Sequence, residues 1–112
     1  MAMTTVTAWI VLLLAGLFEM GWALGLKLAQ GGGRAHAWGL AVAVACLAFS
    51  MFLLYQAQRV IPIGVAYAVW TGIGAAGTFL LGVWLFGDAA GPMKYLGVAL
   101  IVGGIALLKW GA

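Results

Sequence analysis

The sequence predicts an all-α integral membrane protein with four transmembrane helices. Of its 112 residues, 67% are hydrophobic and only 6% charged, against roughly 25% charged in ordinary soluble domains. The mean hydropathy is +1.21. Sparse polar punctuation also divides the chain into four apolar runs, each close to the roughly 20 residues that a span needs. Lipid offers no partner to an open sheet edge, and four short runs cannot close a barrel, so the spans are helices. Residues 1–112 read as a single transmembrane domain with no soluble part.

Span one covers about residues 6–26, and "KLAQGGGRAH" closes it with glycines and two cations. The preceding "MAMTTVTA" carries no cationic region, and the apolar run exceeds the roughly 7–15 residues of a secretory signal. Span one is therefore expected to remain in the mature protein. Span two covers about residues 38–57, until Gln58, Arg59 and Pro62 interrupt it. Span three runs from about 63 to 86 and stops at "GDAAGP", and span four covers about 93–108. Lys94 and Lys109 are placed to snorkel at the two ends of span four.

Cations near span ends set membrane orientation. Here Arg59, Lys109 and the terminal amine stand on one side, and Lys27, Arg34 and Lys94 on the other. The tie predicts insertion both ways up, with oppositely inserted copies pairing as an antiparallel, dual-topology homodimer. Span three presents Gly64, Ala68, Gly72 and Ala76 at four-residue spacing, and span four presents Ala99 with Gly103. Small residues so spaced let helices approach closely in lipid, either within one chain or between copies. Gly97, Gly103 and Gly104 are the candidate dimer-packing positions, and Gly72 and Gly74 the candidate bend in span three.

Several functions are excluded by composition. The five basic residues are scattered singly among span ends, so no nucleic-acid surface forms. Cys46 is the one cysteine, which rules out an internal disulfide and a thiol metal cluster, and it reads as a packing residue. "GIGAAG", Gly72–Gly77, fits a dinucleotide pattern but lies inside an apolar helix instead of after a strand, where that pattern has meaning. The sole His36 falls in the first loop, and no grouping has catalytic or metal-ligating spacing. Neither an enzyme nor a cofactor is expected.

Glu19 is the anomaly. A carboxylate near the bilayer centre costs several kcal/mol or more, and Glu19 stands roughly 4.5 Å of helical rise past the middle of its span. It must face a partner or a cavity, or be protonated much of the time. On its helix face lie Leu12, Ala15, Gly16, Trp22, Ala23 and Leu26. Tyr67 and Trp70 share a face of span three that continues through Gly74 and Gly77, and Ser50 is the only serine or threonine in span two. If these faces converge, they form a carboxylate walled by aromatic rings. Such a site suits an organic cation, which gains charge pairing together with cation–π and stacking contacts. Trp38, Trp84, Tyr95 and Trp110 read instead as interfacial anchors. Asp88, in the loop after span three, reads as facing water.

With "AGLFEMGWALGLK" (Ala15 to Lys27), "PIGVAYAVWTGIGA" (Pro62 to Ala75) and "GVALIVGGIALLK" (Gly97 to Lys109), nearly the whole chain resembles the small multidrug resistance family. These are four-helix, proton-coupled cation exporters working as antiparallel dimers in a bacterial-type inner membrane. Trp22 three residues after the glutamate, together with "AYAVWTGIGA", is similar to the guanidinium-exporter subtype. The resemblance implies that Glu19 binds proton and substrate in turn, that Trp22, Tyr67 and Trp70 line the site, that Gly16 and Ser50 lie near the carboxylate, and that Ser50 hydrogen-bonds Glu19. It implies alternating access, with protons and a guanidinium-type cation competing for Glu19. The chain departs from the family at "QGGGRAH" and at Met20-Gly21, which bear on substrate breadth. The alternatives are a multidrug exporter of quaternary ammonium or lipophilic cations, one subunit of a heteromeric pair, and a membrane protein without transport.

Overall fold

The computed structural model describes residues 3–111. The terminal amine counted above and the outermost residues of the 1–112 assignment lie outside them. Four helices follow in order: α1 (Thr5–Ala29), α2 (Gly33–Ala57), α3 (Ile63–Phe86) and α4 (Pro92–Gly111). All four are long and apolar enough to cross a membrane, so the protein is a multi-pass membrane protein.

The helix ends follow from local chemistry. Thr4 caps α1, its hydroxyl accepting the Thr7 N–H at 3.1 Å, which satisfies one of the free donors of the first turn. Pro92 opens α4, where its missing N–H costs nothing. Gly87 ends α3 with φ 67°, a left-handed conformation that a β-carbon disfavours. Lys27 occupies the last turn of α1, and α2 begins at Gly33, ahead of the apolar run. His36 is therefore helical rather than in a loop, its N–H donating to the Gly32 carbonyl at 3.2 Å. The helix continues past the apolar residues because it keeps backbone groups bonded at the lipid boundary.

α1 is the central helix, packed along α2 and against α3, while α4 rests on α3. The α1–α2 seam is made of small residues. A β-carbon on Gly25 would stand 2.6 Å from the Ala43 nitrogen and 2.7 Å from the Gly39 carbonyl oxygen. The two backbones touch there, as small-residue crossings permit in lipid. A second cluster joins Ala8, Trp9 and Leu12 of α1 to Ala57, Ile61, Ala66 and Val69, with Ile105 of α4 against it. None of the described residues of α4 is buried, and the body is a slab of 45 × 37 × 17 Å.

Candidate functional site

Between α1 and α3 lies an open cleft of about 500 Å³. Glu19, Trp22 and Ala23 come from α1, Leu47 from α2, and Tyr67, Trp70, Thr71, Gly74, Ala75 and Thr78 from α3. The expected faces of α1 and α3 meet here, while α2 contributes Leu47 and not Ser50. No basic side chain stands on this wall among the described residues, so Glu19 faces a space without a resident counter-ion.

Glu19 is held by its own helix. The Trp22 indole Nε1–H, three residues on, donates to Glu19 Oε1, which fixes the carboxylate and sets a ring beside it. Across the cleft the Tyr67 and Trp70 rings lie 5.7 Å apart and tilted by 45°. Tyr67 is 55% exposed, so a ring face remains open.

Ser50 is fully buried and is not on the cleft wall. Its hydroxyl donates to the Ala15 carbonyl at 2.7 Å and accepts the Trp70 Nε1–H at 2.7 Å. The expected Ser50–Glu19 hydrogen bond is thus replaced. A hydroxyl has one proton, and the Ala15 carbonyl, one turn before Glu19, has a lone pair left after its helical bond. Ser50 instead ties α1, α2 and α3 together and orients Trp70.

Gly16 lies off the wall as well. A β-carbon there would stand 2.6 Å from Ile73 Cγ2, so Gly16 lets α3 close on α1. Gly74 sits against the Glu19 side chain, where a β-carbon would overlap Cγ. Gly72 faces α4, with Ile105 Cδ1 at 2.9 Å from where its β-carbon would be. α3 is one continuous helix through both glycines. Gly97, Gly103 and Gly104 have nothing within 4 Å of their β-carbon positions. At the Met20-Gly21 departure both residues pack, Met20 lying against Gly77 and Gly21 against Cys46.

Thr71 and Thr78 are wall residues that sequence reasoning overlooked. Spacing could have found them, since both lie four residues after a named position on the same face, Tyr67 and Gly74. Thr71 Oγ1 donates to the Tyr67 carbonyl at 2.9 Å, which leaves its oxygen free to accept from a ligand N–H. The cleft therefore offers one carboxylate, aromatic rings and acceptor hydroxyls to a cation that can donate hydrogen bonds.

The family model described as Small Multidrug Resistance protein matches residues 7–101. A protein named Guanidinium exporter from Salmonella typhimurium is 44% identical over 105 residues, covering 94% of this chain and 98% of its own length. Proteins of the same name from Citrobacter freundii and Yersinia pseudotuberculosis are each 46% identical over 102 residues, or 91% of this chain.

Proposed function

The chain belongs to the small multidrug resistance family, and from that premise we propose that it exports guanidinium and small guanidinyl cations across the cell inner membrane. The observation that carries the proposal is the Glu19 carboxylate, bonded by Trp22 on an aromatic wall that holds no basic residue. Guanidinium is planar, weakly hydrated and a fork of N–H donors, so it pairs with a carboxylate and stacks on rings at once. A quaternary ammonium has no N–H for Glu19, Thr71 or Thr78.

The coupling we infer follows from one site serving two ligands. A proton on Glu19 removes the charge that holds the cation, and a bound cation occupies the oxygen that would take the proton. Alternating access then exchanges the two, protons entering from outside displacing the cation and the cation entering from inside displacing protons. Residues 1–112 act as one transmembrane domain, and two copies inserted in opposite senses bring their Glu19 residues to a shared chamber. The thin slab, the lack of burial along α4 and the open positions at Gly97, Gly103 and Gly104 support such pairing. Gly72 and Gly74 are the positions at which α3 bends between states.

The experiment is uptake by the purified protein in proteoliposomes under a pH gradient, comparing guanidinium with tetramethylammonium. Faster guanidinium uptake supports the reading. Preference for tetramethylammonium overturns the substrate assignment, and inactivity toward both cations overturns export by this chain on its own.

A further inference from the structure

Asp88 is the only acid besides Glu19, and the structure gives it neighbours. After the left-handed Gly87, the Asp88 N–H donates to the Gly82 carbonyl at 3.1 Å. The fold-back lays the carboxylate over Gly82, where a β-carbon would stand 2.5 Å from Oδ2. Beside it, a pocket of about 210 Å³ is bounded by Asp88, Phe86, Lys27 and Leu24, and by Ala23 and Thr78. Ala23 and Thr78 also line the Glu19 cleft. The small pocket thus adjoins the cleft at the end where α1 and α3 finish.

The pocket already receives a cation. The Lys27 ammonium lies 6.0 Å from the centroid of the Phe86 ring, within reach of a cation–π contact. Lys27 is exposed on a flexible stem, and can withdraw to the headgroup level when another cation arrives. Guanidinium stacks on aromatic faces more readily than the strongly hydrated ammonium, and it pairs with a carboxylate in a fork.

We propose that this pocket is an outer docking site for the transported cation, in which guanidinium displaces Lys27 from Phe86, pairs with Asp88 and then passes Thr78 to reach Glu19. The proposal rests on the guanidinium-export reading for the identity of the cation. Lys27 acts as a tethered competitor that keeps docking weak, so that the cation moves inward instead of being held at the surface.

Two measurements test it. Nitrogen-15-labelled Glu19→Gln protein in nanodiscs, its inner carboxylate removed, is titrated with guanidinium chloride and with sodium chloride at equal ionic strength. Saturable amide shifts at Phe86 and Asp88 with guanidinium alone, abolished by adding Asp88→Asn, are expected. Identical shifts with both salts overturn the docking site. In proteoliposomes at low salt, Asp88→Asn is expected to raise the KM for guanidinium about two- to five-fold with kcat retained, the range of an exposed charge pair, and Asp88→Glu to restore it. Lys27→Arg keeps the cation balance but tethers a better competitor, and should raise KM by about two-fold. An unchanged KM in Asp88→Asn, or in Lys27→Arg, overturns the proposal. Failure of the unaltered protein to transport guanidinium refutes the export reading instead, and the titration still decides the docking site.

Discussion

The Trp70 indole donates to Ser50 Oγ at 2.7 Å while that hydroxyl donates to the Ala15 carbonyl at 2.7 Å. A ring of the cleft is therefore positioned through a buried hydroxyl that does not itself reach the cleft. Ser50→Ala removes both bonds and leaves a partly buried N–H and a backbone carbonyl lone pair without partners. The expected loss is about 1–3 kcal/mol, read as a lower denaturant midpoint in detergent. Guanidinium KM should rise in the same variant, because Trp70 is no longer held.

Trp22→Phe keeps a ring beside Glu19 and removes the N–H that bonds it. The carboxylate is then no longer held in place or stabilised in its charged form, so guanidinium affinity measured by calorimetry should fall. The thermal midpoint should stay near that of the unaltered protein.

Gly74→Ala places a β-carbon on the Glu19 side chain. Overpacking of this kind costs about 1–3 kcal/mol, and here the carboxylate is the group that must move. Guanidinium binding should weaken by about ten-fold or more, with helicity by circular dichroism unchanged.

Gly39→Val and Gly97→Ala should differ in kind. The first drives side-chain atoms into the α1 backbone, because even a β-carbon would stand 2.5 Å from the Gly25 oxygen, and little folded protein should be recovered. The second adds a methyl where nothing lies within 4 Å, so a single chain is undisturbed. Reduced cross-linking between Gly97→Ala copies would bear out α4 as a dimer surface, and unchanged cross-linking would count against it.

Apolar run length and the charge cost of Glu19 made the four helices and the central carboxylate legible, and i+3 spacing tied Trp22 to Glu19 and Trp70 to Tyr67. The hidden part was rotation about each helix axis. The resemblance set Ser50 against Glu19, but the α1–α2 crossing at Gly25 and Gly39 turns Ser50 toward Ala15 instead. The same gap separated two readings of a glycine. Gly74, the candidate bend in α3, also clears room for the Glu19 side chain, and only a neighbouring helix reveals that. Asp88 is exposed, as expected, but its place over Gly82 was hidden because the fold-back depends on a left-handed turn at Gly87.

The competition of proton and guanidinium for Glu19 is tested most directly by proton release on binding. Purified protein in weakly buffered detergent is mixed with guanidinium chloride while pH is recorded. The account predicts acidification that saturates with guanidinium, guanidinium affinity that falls as pH falls, and no response in Glu19→Gln. Guanidinium binding with a calorimetric enthalpy independent of buffer ionisation, and no proton release at any pH across the neutral range, would contradict it.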